Sequence, residues 1–262
     1  MSLMALEALV IGSRPFRDTS RLVQILTRAE GPMSGIAKGA RVPGNRFGAG
    51  LELFCRTQVV LYYKRQRDLQ LIVEADPIDG FTGLWKNVDR YLTASAAVEF
   101  LRRALVPGEV VPPLYDLLLT MLSALEKSES ENRSFYLRSF QLKACDRLGL
   151  RPELWRCVSC GKEERIVAFD PAAGGMLCDG CRGRVAESVP LSPDAVSLLR
   201  ELWAVPLAEA ASSLAPVYGA GSLARRDAAR AIESFLRSHF ERYGPLRSMD
   251  ALIAVRRSAG KA

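Results

Sequence analysis

Two Cys-x-x-Cys pairs, Cys157-Val158-Ser159-Cys160 and Cys178-Asp179-Gly180-Cys181, stand 17 residues apart. They constrain this chain more than any other feature. The spacing is that of a zinc ribbon. Each pair reads as a tight knuckle whose two thiolates face one ion, with Gly161 and Gly180 helping the turns to close. Four thiolates complete a tetrahedral shell and leave no position for water or substrate, so a single Zn2+ there is structural. It would hold together a segment of about 30 residues that has too little core of its own. The alternatives at these residues are two disulfides, or iron at the same ligands. The opening Met1-Ser2-Leu3-Met4-Ala5-Leu6-Glu7 lacks a basic n-region and carries an early Glu, unlike a secretory leader. A reducing cytoplasm is therefore expected, which favours thiols over disulfides. Cys55 and Cys145 are isolated among apolar neighbours and read as buried free thiols.

The charge is as unevenly placed as the cysteines. Between Arg14 and Arg67 stand eleven basic residues, opposed only by Asp18, Glu30 and Glu52. The whole chain of 262 residues is only +7, so the rest nearly cancels. Residues 81–150 carry nine basic and eight acidic groups, and residues 151–190 carry six of each. A surplus confined to one small segment points to a polyanion, most often nucleic acid. The DNA-binding candidates are Arg14, Arg17, Arg21, Lys38, Arg41, Arg46, Arg56, Lys64, Arg65 and Arg67; Arg28 belongs to the same window. Lys38, Arg41 and Arg46 share a Gly-rich stretch, and Lys64, Arg65 and Arg67 a second turn. The sequence suggests both at one mouth of a small barrel, forming a cationic groove, with Phe16, Phe47 and Tyr63 available either to stack bases or to pack the core.

The barrel itself comes from short β patterns at 3–11, 21–27, 34–40, 51–64 and 69–75. Five strands in about 75 residues fit an OB-type barrel. Pro77-Ile78-Asp79-Gly80 marks its end. Beyond it apolar residues recur at helical spacing, as in Val88, Tyr91, Leu92 and Val98, then over 114–125 and 135–148, where Gly149 stops the helix. Ser192-Pro193-Asp194 opens another helix. A last one spans 222–243, with Arg225, Arg226, Arg230, Arg237 and Arg242 on one side, until Gly244-Pro245. The tail, with Arg256, Arg257 and Lys261, is expected to fray. The fold class is thus α+β and multidomain: an N-terminal five-stranded OB-type β-barrel (1–80), a helical bundle (81–154 and 191–262), and an inserted zinc-ribbon-like module with four cysteine ligands (155–190).

Nothing argues for catalysis. His239 is the single histidine and has no Cys or Ser context of a nucleophile. There is no Gly-x-x-x-x-Gly-Lys phosphate loop and no Gly-x-Gly-x-x-Gly after a strand. No apolar run reaches the roughly 18 residues of a membrane span. A non-enzymatic, cytoplasmic protein is expected.

Several runs together carry a family likeness. They are Arg17-Asp18-Thr19-Ser20-Arg21-Leu22-Val23, Leu26-Thr27-Arg28, Ala37-Lys38-Gly39-Ala40-Arg41, Arg46-Phe47 and Leu51-Glu52-Leu53-Phe54. The four cysteines and Gly244-Pro245-Leu246-Arg247-Ser248 follow. In this order, over nearly the whole chain, they resemble the RecO family of bacterial recombination mediators. The resemblance implies an OB barrel, a helical domain and a zinc module. It implies binding to single- and double-stranded DNA, annealing of complementary strands, and nucleoid association. It also implies three protein partners: RecR, the tail of single-strand-binding protein, and the RecA pathway that they serve. A site for that tail needs a cation beside apolar residues, for which Arg90, Arg102, Arg103 and Arg138 are candidates. Two rival readings remain. One is an interaction scaffold for RecR and single-strand-binding protein with DNA contact secondary. The other is a zinc-ribbon transcription factor, disfavoured by the neutral charge of 151–190.

Overall fold

The computed structural model describes residues 2–128 and 132–259, with side chains as far as Val255. Lys261 and the side chains of Arg256 and Arg257 lie outside the described residues. Contacts divide the chain into two units, Met1–Lys86 with Leu105–Leu122, and Asn87–Ala104 with Ser123–Ala262.

The first unit is built on five strands: β1 (Ser2–Phe16), β2 (Ser20–Thr27), β3 (Gly31–Ala37), β4 (Arg56–Tyr63) and β5 (Leu69–Asp79). They close into a barrel in the order β1-β2-β3-β5-β4, with β3 and β5 parallel. This is the expected OB-type barrel. Alternate residues point inward, so Ala8, Val10, Val23, Ile25, Ala37, Val59, Leu61 and Ile72 form one core.

The fourth strand departs from expectation, starting at Arg56 rather than near Leu51. Residues 38–55 are a chain of reverse turns, closed by backbone bonds such as Val42 N–H to Gly39, Gly50 N–H to Phe47 and Cys55 N–H to Glu52. Phe54 takes a left-handed backbone, φ 70°. The apolar residues that imitate a strand pattern here are a plug: Ala40, Phe47, Leu51 and Cys55 all pack into the barrel core.

Strand directions decide where the basic turns fall. Successive strands alternate in direction from β1 to β5. The β1–β2 turn and the 38–55 segment therefore share one end, where the Arg41 N–H donates to the Thr19 carbonyl at 2.9 Å. The β2–β3 and β4–β5 turns share the other, where the Tyr63 hydroxyl stands 3.5 Å from Glu30. Lys38, Arg41 and Arg46 thus sit at the opposite end from Lys64, Arg65 and Arg67, and the single cationic mouth expected from the sequence is not formed.

After β5 come the short helix α1 (Thr82–Trp85) and, within the same unit, the start of α3 (Pro112–Lys127). The Tyr115 hydroxyl donates to Glu7 at 2.7 Å, and Arg28 pairs with Asp116. At Gly31 (φ 68°) a Cβ would stand 2.2 Å from the Glu109 carbonyl oxygen, so only glycine fits beneath that segment.

The second unit holds α2 (Val88–Ala104), α4 (Arg133–Arg147), α6 (Pro193–Ala204), α7 (Ala210–Leu214), α8 (Leu223–His239) and α9 (Arg247–Ala259). Gly149, at φ 76°, ends α4 as expected, with the Leu150 N–H returning to the Cys145 carbonyl at 2.9 Å. Ser222 caps α8 by accepting from the Arg225 N–H. That helix stops four residues earlier than its apolar pattern suggests, and the tail forms α9 instead of fraying. The reason lies on α2. Glu99 accepts from the N–H groups of Arg247 and Ser248, both at 3.1 Å, and from the Ser248 hydroxyl. It thereby supplies the partners that a helix start lacks. Arg103 ties the preceding Gly244 carbonyl at 2.5 Å. Inserted between α4 and α6 is a small sheet, β6 (Glu153–Cys157), β7 (Ile166–Asp170), β8 (Gly175–Cys178) and β9 (Val189–Pro190), ordered β6-β8-β7-β9, with the one-turn α5 (Asp179–Arg182).

Candidate functional site

The cysteines come together as the spacing requires. Cys157 ends β6, Cys160 follows in a turn, Cys178 ends β8, and Cys181 lies on α5. Their sulfurs all lie within 4.8 Å of one another, with Cys160 and Cys178 3.6 Å apart. None is in a disulfide. Four sulfurs bound to one tetrahedral ion at about 2.3 Å would be about 3.8 Å apart, so the set fits a metal ion without rearrangement of the chain. Gly161, at φ 75°, closes the first knuckle. The second closes through the first turn of α5, so Gly180 needs no left-handed backbone there. Proton affinity within the set is split. Burial alone would raise the Cys157 thiol, but backbone N–H groups of Cys178, Ser159 and Cys160 outweigh it and bring it to about 6. Cys181, hydrogen-bonded first by Cys160 and Cys178, is pushed up to about 12. Thiols this close ionise together only with a cation among them. Cys55 and Cys145 are buried and free, and burial pushes them up to about 11 and 12.

The basic candidates separate into those already engaged and those left open. Arg56 donates to both Glu7 oxygens, at 2.9 and 2.8 Å. Its proton affinity rises through that contact while that of Glu7 falls. Arg21 pairs with Glu52 at 3.0 Å. Both charges are locally cancelled. Arg14, Arg17, Lys38, Arg41 and Arg46, at the β1–β2 end, pair with no carboxylate among the described residues. Arg41 instead donates to the carbonyls of Arg17 and Asp18, at 3.1 and 3.0 Å, which joins the two basic segments while leaving its charge uncompensated. The guanidinium of Arg17 lies over Phe16 and that of Arg46 over Phe47. At the other end Lys64, Arg65 and Arg67 project from a turn braced by buried Gln70, which bonds the backbone of Lys64 and Arg67.

Of the three aromatics offered for stacking, Phe47 is in the core, only 2% exposed. Tyr63 packs partly against that core, and Phe16 is half-buried. On the strands, the outward aromatic is Tyr62, 40% exposed. Register links it across the outer surface: Arg14 faces Leu22, Leu22 faces Ile36, Ile36 faces Leu71, and Leu71 faces Tyr62. Cross-strand partners share a face, so an apolar row leads from Arg14 to Tyr62, beside the second basic turn. The sequence carried this row only as residues of alternating patterns, because pairing partners are not encoded by local spacing.

In the second unit a cavity of about 90 Å³ is lined by Phe135, Leu198, Leu202, Met249, Leu252 and Arg138. Arg138 donates to Gln141 at 2.9 Å and stands 3.5 Å from Glu233. Arg90 is instead bound to the Ser128 carbonyl, and Arg103 to Glu99 and Gly244; Arg102 is exposed on α2. The arginines of α8 are mostly engaged, Arg230 with Asp227 and Arg237 with Glu233. His239 stacks on Phe235, its Nδ1 3.0 Å from the Phe235 carbonyl, a structural setting. No described helix is long and apolar enough to cross a membrane.

Known proteins resemble this chain over most of its length. Residues 1–81 match the family described as Recombination protein O N terminal, and residues 86–250 match Recombination protein O C terminal. DNA repair protein RecO of Heliobacterium modesticaldum is 36% identical over 208 residues, 77% of this chain and 74% of the relative. That of Rubrobacter xylanophilus is 38% identical over 215 residues, 81% and 85% of the two chains. That of an Anaeromyxobacter strain is 32% identical over 245 residues, 92% and 93%.

Proposed function

The chain belongs to the RecO family of DNA repair proteins, and from that premise we propose that its barrel binds DNA without sequence preference and anneals complementary strands. We propose further that, with RecR, it promotes RecA loading onto DNA coated by single-strand-binding protein. The observation that carries the DNA reading is the uncompensated charge of Arg14, Arg17, Lys38, Arg41 and Arg46 at one end of the barrel, organised by the bonds Arg41 makes to the β1–β2 turn.

On this reading phosphates contact those five residues at one end and Lys64, Arg65 and Arg67 at the other. Bases lie on the row between them, where Tyr62 and the aliphatic face of Leu22, Ile36 and Leu71 accept rings of any sequence. Arg21 and Arg56 hold the barrel rather than the ligand. Binding releases counterions, so affinity falls steeply with salt. Annealing needs only that one protein lower the repulsion between two backbones, and no step requires a catalytic group.

The test is single-stranded DNA binding against salt. Replacing Lys38, Arg41 and Arg46 with Ala weakens binding and flattens the log–log salt slope by about 2 units. An unchanged slope in the folded variant overturns this assignment.

The four thiolates would hold Zn2+. It would supply no reaction, only the closed shell that fixes β6, β8 and α5. The scaffold reading has one specific support, the apolar cavity bearing Arg138. It suits the acidic, apolar tail of single-strand-binding protein. Arg138→Glu that abolishes tail binding yet leaves annealing of naked strands intact would separate the two roles.

A further inference from the structure

In the second unit, a patch joins a surplus of cations to a pair of indoles. Trp155, on β6, is 36% exposed and meets Trp203 of α6 edge to face, ring centres 5.3 Å apart. The Arg151 guanidinium lies over both rings, 4.1 Å from the Trp203 centre and 5.8 Å from that of Trp155. Lys143 of α4 donates to the Trp203 carbonyl, and Arg147, one turn on, donates to the Lys143 carbonyl at 3.2 Å. Arg200 donates to the carbonyls of Leu154 and Trp155, at 2.8 and 3.2 Å.

These contacts hold the cations without neutralising them. A guanidinium stacked on an indole keeps its charge and leaves its in-plane N–H edges free. Hydrogen bonds to carbonyls likewise leave the charge in place. The opposing carboxylates are few. Asp146 stands 3.7 Å from Arg147 and 3.9 Å from Arg151, one carboxylate shared as an ion pair between two guanidinium groups. Glu153 pairs with Arg156 at 3.1 Å, and Glu201 is taken by the Tyr218 hydroxyl at 2.9 Å. Lys143 feels the result: burial first, then the charge of Arg147, lowers its proton affinity.

We propose that this patch is a second binding site for single-stranded nucleic acid, an unpaired base stacking on the exposed part of Trp155 and its flanking phosphates lying against Arg147 and Arg151. A flat apolar ring framed by open guanidinium edges matches a base between two phosphates, and neither an apolar peptide nor a bare polyanion uses both halves. The base must be unstacked to reach the indole, so intact duplex does not bind here. The inference rests on the DNA-binding reading and adds to it. A chain with two such sites holds two strands at once, which brings complementary strands together for annealing.

Two of the chain's three tryptophans are at this site, which gives a direct readout. Trp85, 49% exposed in the other unit, is first removed as Trp85→Phe. In that full-length background oligothymidylate quenches the remaining emission, and the quench weakens with salt. Polyphosphate, which has no bases, does not quench. Arg147→Glu with Arg151→Glu abolishes the quench, and Trp155→Ala weakens binding by about tenfold when Lys38, Arg41 and Arg46 are also Ala. Metal content and circular dichroism confirm that each variant is folded. The site is overturned by an absent quench, by a quench that survives both charge reversals, or by an equal response to polyphosphate. The quench persists when only the barrel cations are removed, so loss of barrel binding and loss of this site are separable.

Discussion

Glu99 ends where a helix begins, and its charge state sets whether α9 is docked. Burial alone would raise its carboxyl. The Ser248 hydroxyl, the N–H groups of Ser248 and Arg247, and the Arg103 charge outweigh burial and hold it below its ordinary value of 4.5. A carboxyl depressed in the folded state contributes stability that is complete above its unfolded value and lost as pH falls through the folded one. Docking of α9 therefore stays intact from neutrality down to about pH 4.5 and loosens below it. Glu99→Ala removes the acceptor outright and costs on the order of 2 kcal/mol. Glu99→Gln costs less and erases the acid dependence, as read by hydrogen exchange over Arg247–Ala259. At this scale the sequence is least informative. Phe47 is equally suited to stacking a base and to filling a core, and only the turn geometry of 38–55 decides for the core. Glu99 and Ser248 are 149 residues apart, and no local pattern joins them.

Elements were more legible where periodicity or covalent chemistry dictates them. The strands of the barrel follow from alternation, α4 from its apolar spacing and terminal Gly149, and the metal module from four cysteines at fixed intervals. What local pattern omits is direction. Turns fall at one end of a barrel or the other by the parity of the strands they join, so two basic turns that look alike in sequence lie at opposite ends. The start of β4 was obscured for a related reason, since plug residues and strand residues are both apolar. The metal module carries its own prediction. Its buried cluster is little more than Cys157, Ala168, Leu177, Cys178 and Cys181, too small to order a sheet unaided. Chelation at neutral pH, or Cys157→Ser, is expected to expose 153–190 to protease while β1–β5 retain slow hydrogen exchange. A module that stays protected after its metal is removed would contradict this.

At the scale of the whole molecule, contacts group Leu105–Leu122 with the barrel although helix α2 intervenes in the chain. That stretch supplies the Tyr115 hydroxyl on Glu7 and the backbone beneath which only Gly31 fits. A fragment ending at Lys86 lacks both. It is expected to unfold at lower temperature than the barrel within the full chain, by thermal denaturation followed at the strand signal. Composition could not reveal this grouping, because the amphipathic pattern of α3 shows that one face is buried and not which partner buries it. The separation of the two cationic ends has a metrical consequence. The eight residues of β2 rise about 3.3 Å each, which sets a gauge of about 26 Å. At the stacked spacing of about 3.4 Å that gauge spans about eight nucleotides. On the proposed reading, shorter oligonucleotides touch one end only, and affinity climbs in a step, not a ramp, as length passes that mark.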